Sequence, residues 1–188
     1  VPEDLILQKV PEDKDDYTQA IHLCHANGWS AEGAVGKTFD YIHHEVPNIN
    51  KIIPDSRKIL AAILNSDQSM ERVGALQYRT SGELNRHPEI SRKDLNQDFD
   101  LETNPNAFLR FERQTVTSFI KSRCFLFTVR TYLTHMKQIG VKDWKWEEFK
   151  KTLQEERPDV KTFQFVERYR NQLLAWVDVV DKEHLQLN

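Results

Sequence analysis

Residues 107–133, AFLRFERQTVTSFIKSRCFLFTVRTYL, constrain the fold more than any other stretch. They read as two extended segments joined by a turn near Ile120 to Ser122. Alternate side chains of a strand face opposite sides. One face of the first segment carries Phe108, Arg110, Glu112 and Gln114, and the other Leu109, Phe111, Arg113 and Thr115. Neither face is purely apolar. The second segment is cleaner. Phe125, Phe127, Val129 and Leu133 share a core face, and Cys124, Leu126, Thr128, Arg130 and Tyr132 share the other. Buried charge is costly unless paired. A hairpin of this kind therefore either covers a polar pocket or turns its Arg and Glu side chains to water.

A chain of 188 residues can bury one real core. With 39% hydrophobic and 29% charged residues it is globular and rather polar. Its net charge of −3 gives no basic surface for nucleic acid. No run of eighteen apolar residues suggests a membrane span. The start, VPEDLILQKV, lacks the basic and apolar regions of a signal peptide. It begins abruptly in a strand-like stretch, so an upstream segment is expected to be missing. Two cysteines, Cys24 and Cys124, argue against a disulfide scaffold or an iron–sulfur cluster and for reduced thiols in the cytoplasm.

In chain order, Leu5 to Val10 reads as a strand ended by Pro11, and Glu12 to Asp16 as a turn. Tyr17 to His25 alternates, with Tyr17, Ile21 and Leu23 on one side and Ala20, His22 and Cys24 on the other. Ser30 is placed to cap a short helix ended by Gly36, and Thr38 to His44 forms another before Pro47. Pro54 opens a longer helix with Ile59, Leu60, Ile63 and Leu64 on one stripe. Val73 to Thr80 is a third strand, turned at Ser81-Gly82. The polar stretch 82–106 reads as a lid, a binding loop or a disordered segment. Trp144 to Glu156 reads as a helix, and Pro158 opens a last one. That last helix has an apolar stripe from Val160 to Val180, expected to pack on Phe125, Phe127 and Val129. The sum is one α+β domain over residues 1–188. About five antiparallel strands carry short helices on one face and the C-terminal helices on the other.

No Cys-x-x-Cys and no His-Glu-x-x-His occurs, which argues against a zinc site, and no glycine-rich phosphate loop or nucleophile elbow is present. His43 and His44 follow a short helical turn, and a neutral imidazole there is able to ligate iron. The alternative is a helix-end histidine bonded to carbonyls. Trp29, after Asn27-Gly28, reads as a core lid residue. Arg110, Glu112, Arg113 and Gln114 make either a site or a structural ion-pair network.

Three stretches together carry a resemblance: VPEDLILQ, HLCHANGWSAEGAVGKTFDYIHHEVPNIN at 22–50, and LRFERQTVTSFIKSRCFLFTVRTYL at 109–133. They resemble the haem-dependent oxidative N-demethylases, and FQFVERYRNQLLAWVD near the C-terminus fits as well. The resemblance implies a PAS-like fold holding haem b, with His43 as the metal ligand and Arg113, Arg130 and Trp29 as cofactor contacts. It implies a substrate site of Arg110, Glu112, Gln114 and Tyr132, with Glu112 as the catalytic carboxylate. The implied activity uses O2 to demethylate a small secondary amine and releases formaldehyde. The chain has no flavin or nicotinamide module of its own, so a separate reductase or ferredoxin-type donor is implied. The rival readings are a non-catalytic PAS-like sensor and a degenerate relative with an empty pocket.

Overall fold

The first strand, β1 (Glu3–Lys9), shows why the sheet has a dry side: Asp4, Ile6 and Gln8 are buried while their neighbours are partly exposed. In the computed structural model, residues 3–44, 55–79, 82–89, 108–135, 138, 144–154, 171 and 174–179 are described. Strand β2 (Tyr17–His22) pairs antiparallel with β1. Two short helices follow, α1 (Ala31–Ala34) and α2 (Phe39–His43). Then come helix α3 (Ser56–Leu64) and the strands β3 (Met70–Arg79), β4 (Phe108–Phe119) and β5 (Cys124–His135). Helix α4 (Trp144–Gln154) follows, and residues 174–179 are helical. The five strands form one antiparallel sheet in the order β2-β1-β5-β4-β3. This is the α+β architecture expected from the sequence.

The hairpin predicted at 107–133 is present, its strands joined by a 3₁₀ turn at Ile120–Ser122. Arg123 closes that turn in the left-handed conformation at φ 46°. Its guanidinium Nε donates to the Val10 carbonyl at 3.0 Å, an anchor that holds an otherwise strained residue. The Ser30 cap is as read, and Thr38 adds a second that the sequence reading did not name. Ser30 Oγ accepts from Gly33 N–H and Thr38 Oγ1 from Tyr41 N–H. Gly36, at φ 78°, ends the turn after α1 where a side chain would be strained.

One register detail departs from simple alternation. Leu7 faces Ala20 but Gln8 faces Thr18, so Gln19 is an extra residue, a bulge in β2. The bulge puts Thr18 and Ile21 on the same side, opposite Gln8 and Ile6. Tyr17, opposite Lys9, does not share a face with Ile21, which corrects the sequence reading.

The chain divides into two compact units, Val1–Gly74, Leu84–Arg92 and Glu112–Tyr132 in the first and Ala75–Glu83, Lys93–Phe111 and Leu133–Asn188 in the second. In the first, Leu60 and Ile63 of α3 pack on Phe125, with Val10, Phe39, Ile59, Val116 and Phe127 around them. Each such side chain contributes about 1.5–3 kcal/mol when fully buried. The cover on Phe125 and Phe127 is thus α3. The expectation gave it to the helix after Pro158, whose residues 155–170 lie outside the described residues, as do the turn at 80–81 and most of the loop expected at 82–106. In the second unit, Trp146 and Leu153 of α4 are fully buried. Trp146 meets Trp176 edge-on at 5.4 Å between ring centroids, a favourable aromatic geometry.

Candidate functional site

Helix α2 carries the His43 ring at its C-terminal end. Its N-terminus is fixed twice, by the Thr38 cap and by Asp16, whose Oδ2 accepts from Phe39 N–H at 2.7 Å. The same carboxylate oxygen accepts from Gln8 Nε2 at 2.6 Å, and Gln8 Oε1 accepts from Thr18 Oγ1 at 2.8 Å. A buried glutamine thereby ties β1 and β2 to the start of α2. The Phe39 ring sits in the core, and His43 lies one turn later on the same side. The two rings approach to 4.1 Å between centroids.

His43 Nδ1 lies 2.7 Å from the Phe39 carbonyl. A carbonyl only accepts, so the ring proton is on Nδ1 and the lone pair on Nε2. Burial pushes the His43 pKa down, and the nearby Arg72 guanidinium adds to this, against the raising effects of the Phe39 carbonyl and Asp40. The imidazole is therefore kept neutral with Nε2 available, the state in which histidine binds a metal. His44 is different. It is exposed, and its Nδ1 contacts the Tyr41 carbonyl. Of the adjacent pair, His43 is the inward-placed one.

The polar face of β4 is buried. Arg110 is 1% exposed, Glu112 7% and Gln114 9%. These side chains therefore do not lie in water. Gln114 Nε2 donates to Glu112 Oε2 at 2.8 Å, and Gln114 Oε1 accepts from Arg72 Nε at 2.6 Å. The amide is thus oriented from both ends, nitrogen toward the carboxylate and oxygen toward the cation. Arg72, Gln114 and Glu112 thus form one hydrogen-bonded chain, and the Arg72 charge also acts on the His43 imidazole, lowering its pKa. Arg72 was missed from sequence because the strand was read as starting at Val73, three residues late. The acidic tract holding Asp16 was read only as a turn.

Other expected site residues lie elsewhere. Arg113 is exposed on the opposite face of β4, with Nη2 donating to Glu71 Oε2 at 2.7 Å. Each member of that pair holds the other charged: the Glu71 pKa is lowered, and the Arg113 pKa is raised by Glu71 and by the Tyr132 hydroxyl. Arg130 stands opposite Glu3 in the register, with Nη1 4.0 Å from Glu3 Oε1, and lies over the Tyr132 ring at 5.6 Å. Arg113, Arg130 and Tyr132 therefore form a cluster on the face away from Glu112. Trp29 is half-buried, in a segment pinned by Gly28 N–H to the Arg86 carbonyl and Arg86 N–H to the Ala26 carbonyl.

The family model described as haem-dependent oxidative N-demethylase, alpha subunit-like, matches residues 1–174. The chain belongs to that family. No curated protein matches it closely enough to show kinship. For a haem-dependent N-demethylase-like protein, a half-buried neutral histidine with a fixed tautomer is a fitting iron ligand, so His43 suits the group that the family name calls for. No helix among the described residues is long and apolar enough to cross a membrane.

Proposed function

We propose that this chain is the haem-binding part of an O2-dependent N-demethylase of small secondary amines, with haem b held by His43 and Glu112 facing the amine. The observation that supports the reading is that a chain of this family holds two unlike groups suited to it. One is a neutral imidazole with Nε2 available; the other is a buried carboxylate held by an oriented amide. The strand order β2-β1-β5-β4-β3 supports the PAS-like character of the domain.

When bound, the haem supplies the oxygen chemistry that takes off an N-methyl group as formaldehyde. The rest falls to this chain. Phe39 fixes the His43 ring through its carbonyl and its aromatic face. Glu112 supplies the negative charge that a protonated dialkylamine requires when it leaves water. Gln114 keeps that carboxylate aimed, and Arg72 keeps Gln114 from flipping. Arg110 completes the buried polar face of β4. Electrons come from a separate reductase or ferredoxin-type protein. With only two cysteines the chain has no disulfide scaffold to form, and we place it in the cytoplasm.

The test is an absorption spectrum of protein produced with haem available, followed by formaldehyde assay with an electron donor and dimethylamine. His43→Ala is expected to remove the Soret band and His44→Ala to leave it. Uptake of haem without donor-dependent formaldehyde would overturn the enzymatic reading. Failure of the unmodified chain to take up haem would overturn the whole proposal.

A further inference from the structure

The fold gathers a second set of donor atoms at the far end of β2. The chain bends after His22, and the backbone N–H groups of Cys24 and His25 both donate to Asp4 Oδ1, at 2.6 and 2.8 Å. This folds the Cys24 and His25 side chains back toward β1. A carboxylate oxygen of Asp4, the Cys24 sulfur and a ring nitrogen of His25 all lie within 4.8 Å of one another. Asp4 is only 3% exposed, and Cys24 and His25 are half-buried. His22 Nε2 stands 3.1 Å from the Cys24 sulfur.

We propose that Asp4, Cys24 and His25 form a binding site for a borderline-soft divalent cation, with zinc as the type. Zinc bonds to sulfur, nitrogen and oxygen run at about 2.0–2.3 Å, so tetrahedral donors sit about 3.3–3.8 Å apart. Donors already within 4.8 Å reach that spacing by small side-chain rotations rather than by moving strands. The donor types select the metal. A thiolate and an imidazole favour zinc, whereas magnesium and calcium want oxygen. The two amides on Asp4 Oδ1 orient the carboxylate, the part that outer hydrogen bonds play around bound metals. Binding displaces the thiol proton to solvent as the sulfur–metal bond forms. Sequence patterns passed over the site because one ligand comes from β1 and two from the bend after β2. The metal would clip that bend to the sheet, independently of haem at His43.

The experiment uses tag-free full chain and cobalt(II), which reports thiolate ligation optically. The expected result is one cobalt per chain, with a sulfur-to-cobalt charge-transfer band and strong visible bands that zinc removes by displacement. Cys24→Ser should abolish the charge-transfer band. His25→Ala should weaken zinc retention against a chromophoric chelator by at least about tenfold, and His44→Ala should leave it unchanged. Asp4→Asn keeps an acceptor for both amides and should weaken retention without loss of circular dichroism. Absence of stoichiometric cobalt binding overturns the proposal. So does binding that survives both Cys24→Ser and His25→Ala.

Discussion

Replacing Gln114 with Leu separates what the buried network does for stability from what it does for ligand binding. Leucine has similar volume, so no large cavity results, but both amide hydrogen bonds go. The bond to Glu112 lies between residues 7% and 9% exposed and has a charged acceptor, so its loss costs about 1.5–3 kcal/mol. The bond to Arg72 counts for less, about 1 kcal/mol at most, because Arg72 is exposed and screened. The expected total is about 2–4 kcal/mol, read as a lower denaturation midpoint in urea at unchanged slope. Glu112→Gln is the companion. It keeps an oxygen for Gln114 Nε2 and exchanges a charged bond for a neutral one, at about 1 kcal/mol. In haem-loaded protein it should nevertheless abolish the spectral shift caused by dimethylamine. If Glu112→Gln costs as much stability as Gln114→Leu and leaves amine affinity intact, Glu112 is a structural residue. A loss under about 0.5 kcal/mol for Gln114→Leu would mean the network does not hold in solution.

Other consequences are simpler to check. Leu60→Ala should cost about 2–5 kcal/mol, since it empties a site against Phe125, and a differential denaturation curve measures it. Asp16→Ala removes the acceptor for both Phe39 N–H and Gln8 Nε2; stability and haem uptake should fall together, whereas a fall in stability alone would show that α2 keeps His43 in place without it. The lowered His43 pKa has a definite sign. The unfolded chain takes up the proton first, so the His43 contribution is complete above about pH 6.5 and is lost as pH falls from there through the folded value. Haem-free protein should therefore lose stability as pH falls below about 6.5, and His43→Phe should flatten that slope.

Much of the frame was legible from local chemistry. The hairpin turn at Ile120–Ser122, the Ser30 cap and the stripe Leu60–Ile63–Leu64 depend on neighbours in sequence, and each is where the sequence reading put it. The alternation that set Arg110, Glu112 and Gln114 on one face was also right, but alternation cannot say whether a polar face is wet. Their burial had to be seen. What stayed hidden is long-range. Nothing near Gln114 signals Arg72, forty-two residues earlier, and nothing near Phe39 signals Asp16. The bulge at Gln19 is invisible for a different reason: both registers of TQAIH offer plausible faces, and only pairing to Gln8 and Ile6 selects one.

The edge of the sheet has a bearing on self-association. Strand β2 is terminal in the order, and an open terminal strand is a template for another chain. At Thr18 that template is already used, because Thr18 N–H donates to the Lys37 carbonyl and its own carbonyl accepts from Gly36 N–H, each at 2.8 Å. The bulge at Gln19 breaks the flat repeat next to it. A second copy adding itself through this strand would first have to break two backbone bonds and then match an irregular register. The loop after α1 thus keeps the sheet finite at this position as well as leading the chain into α2.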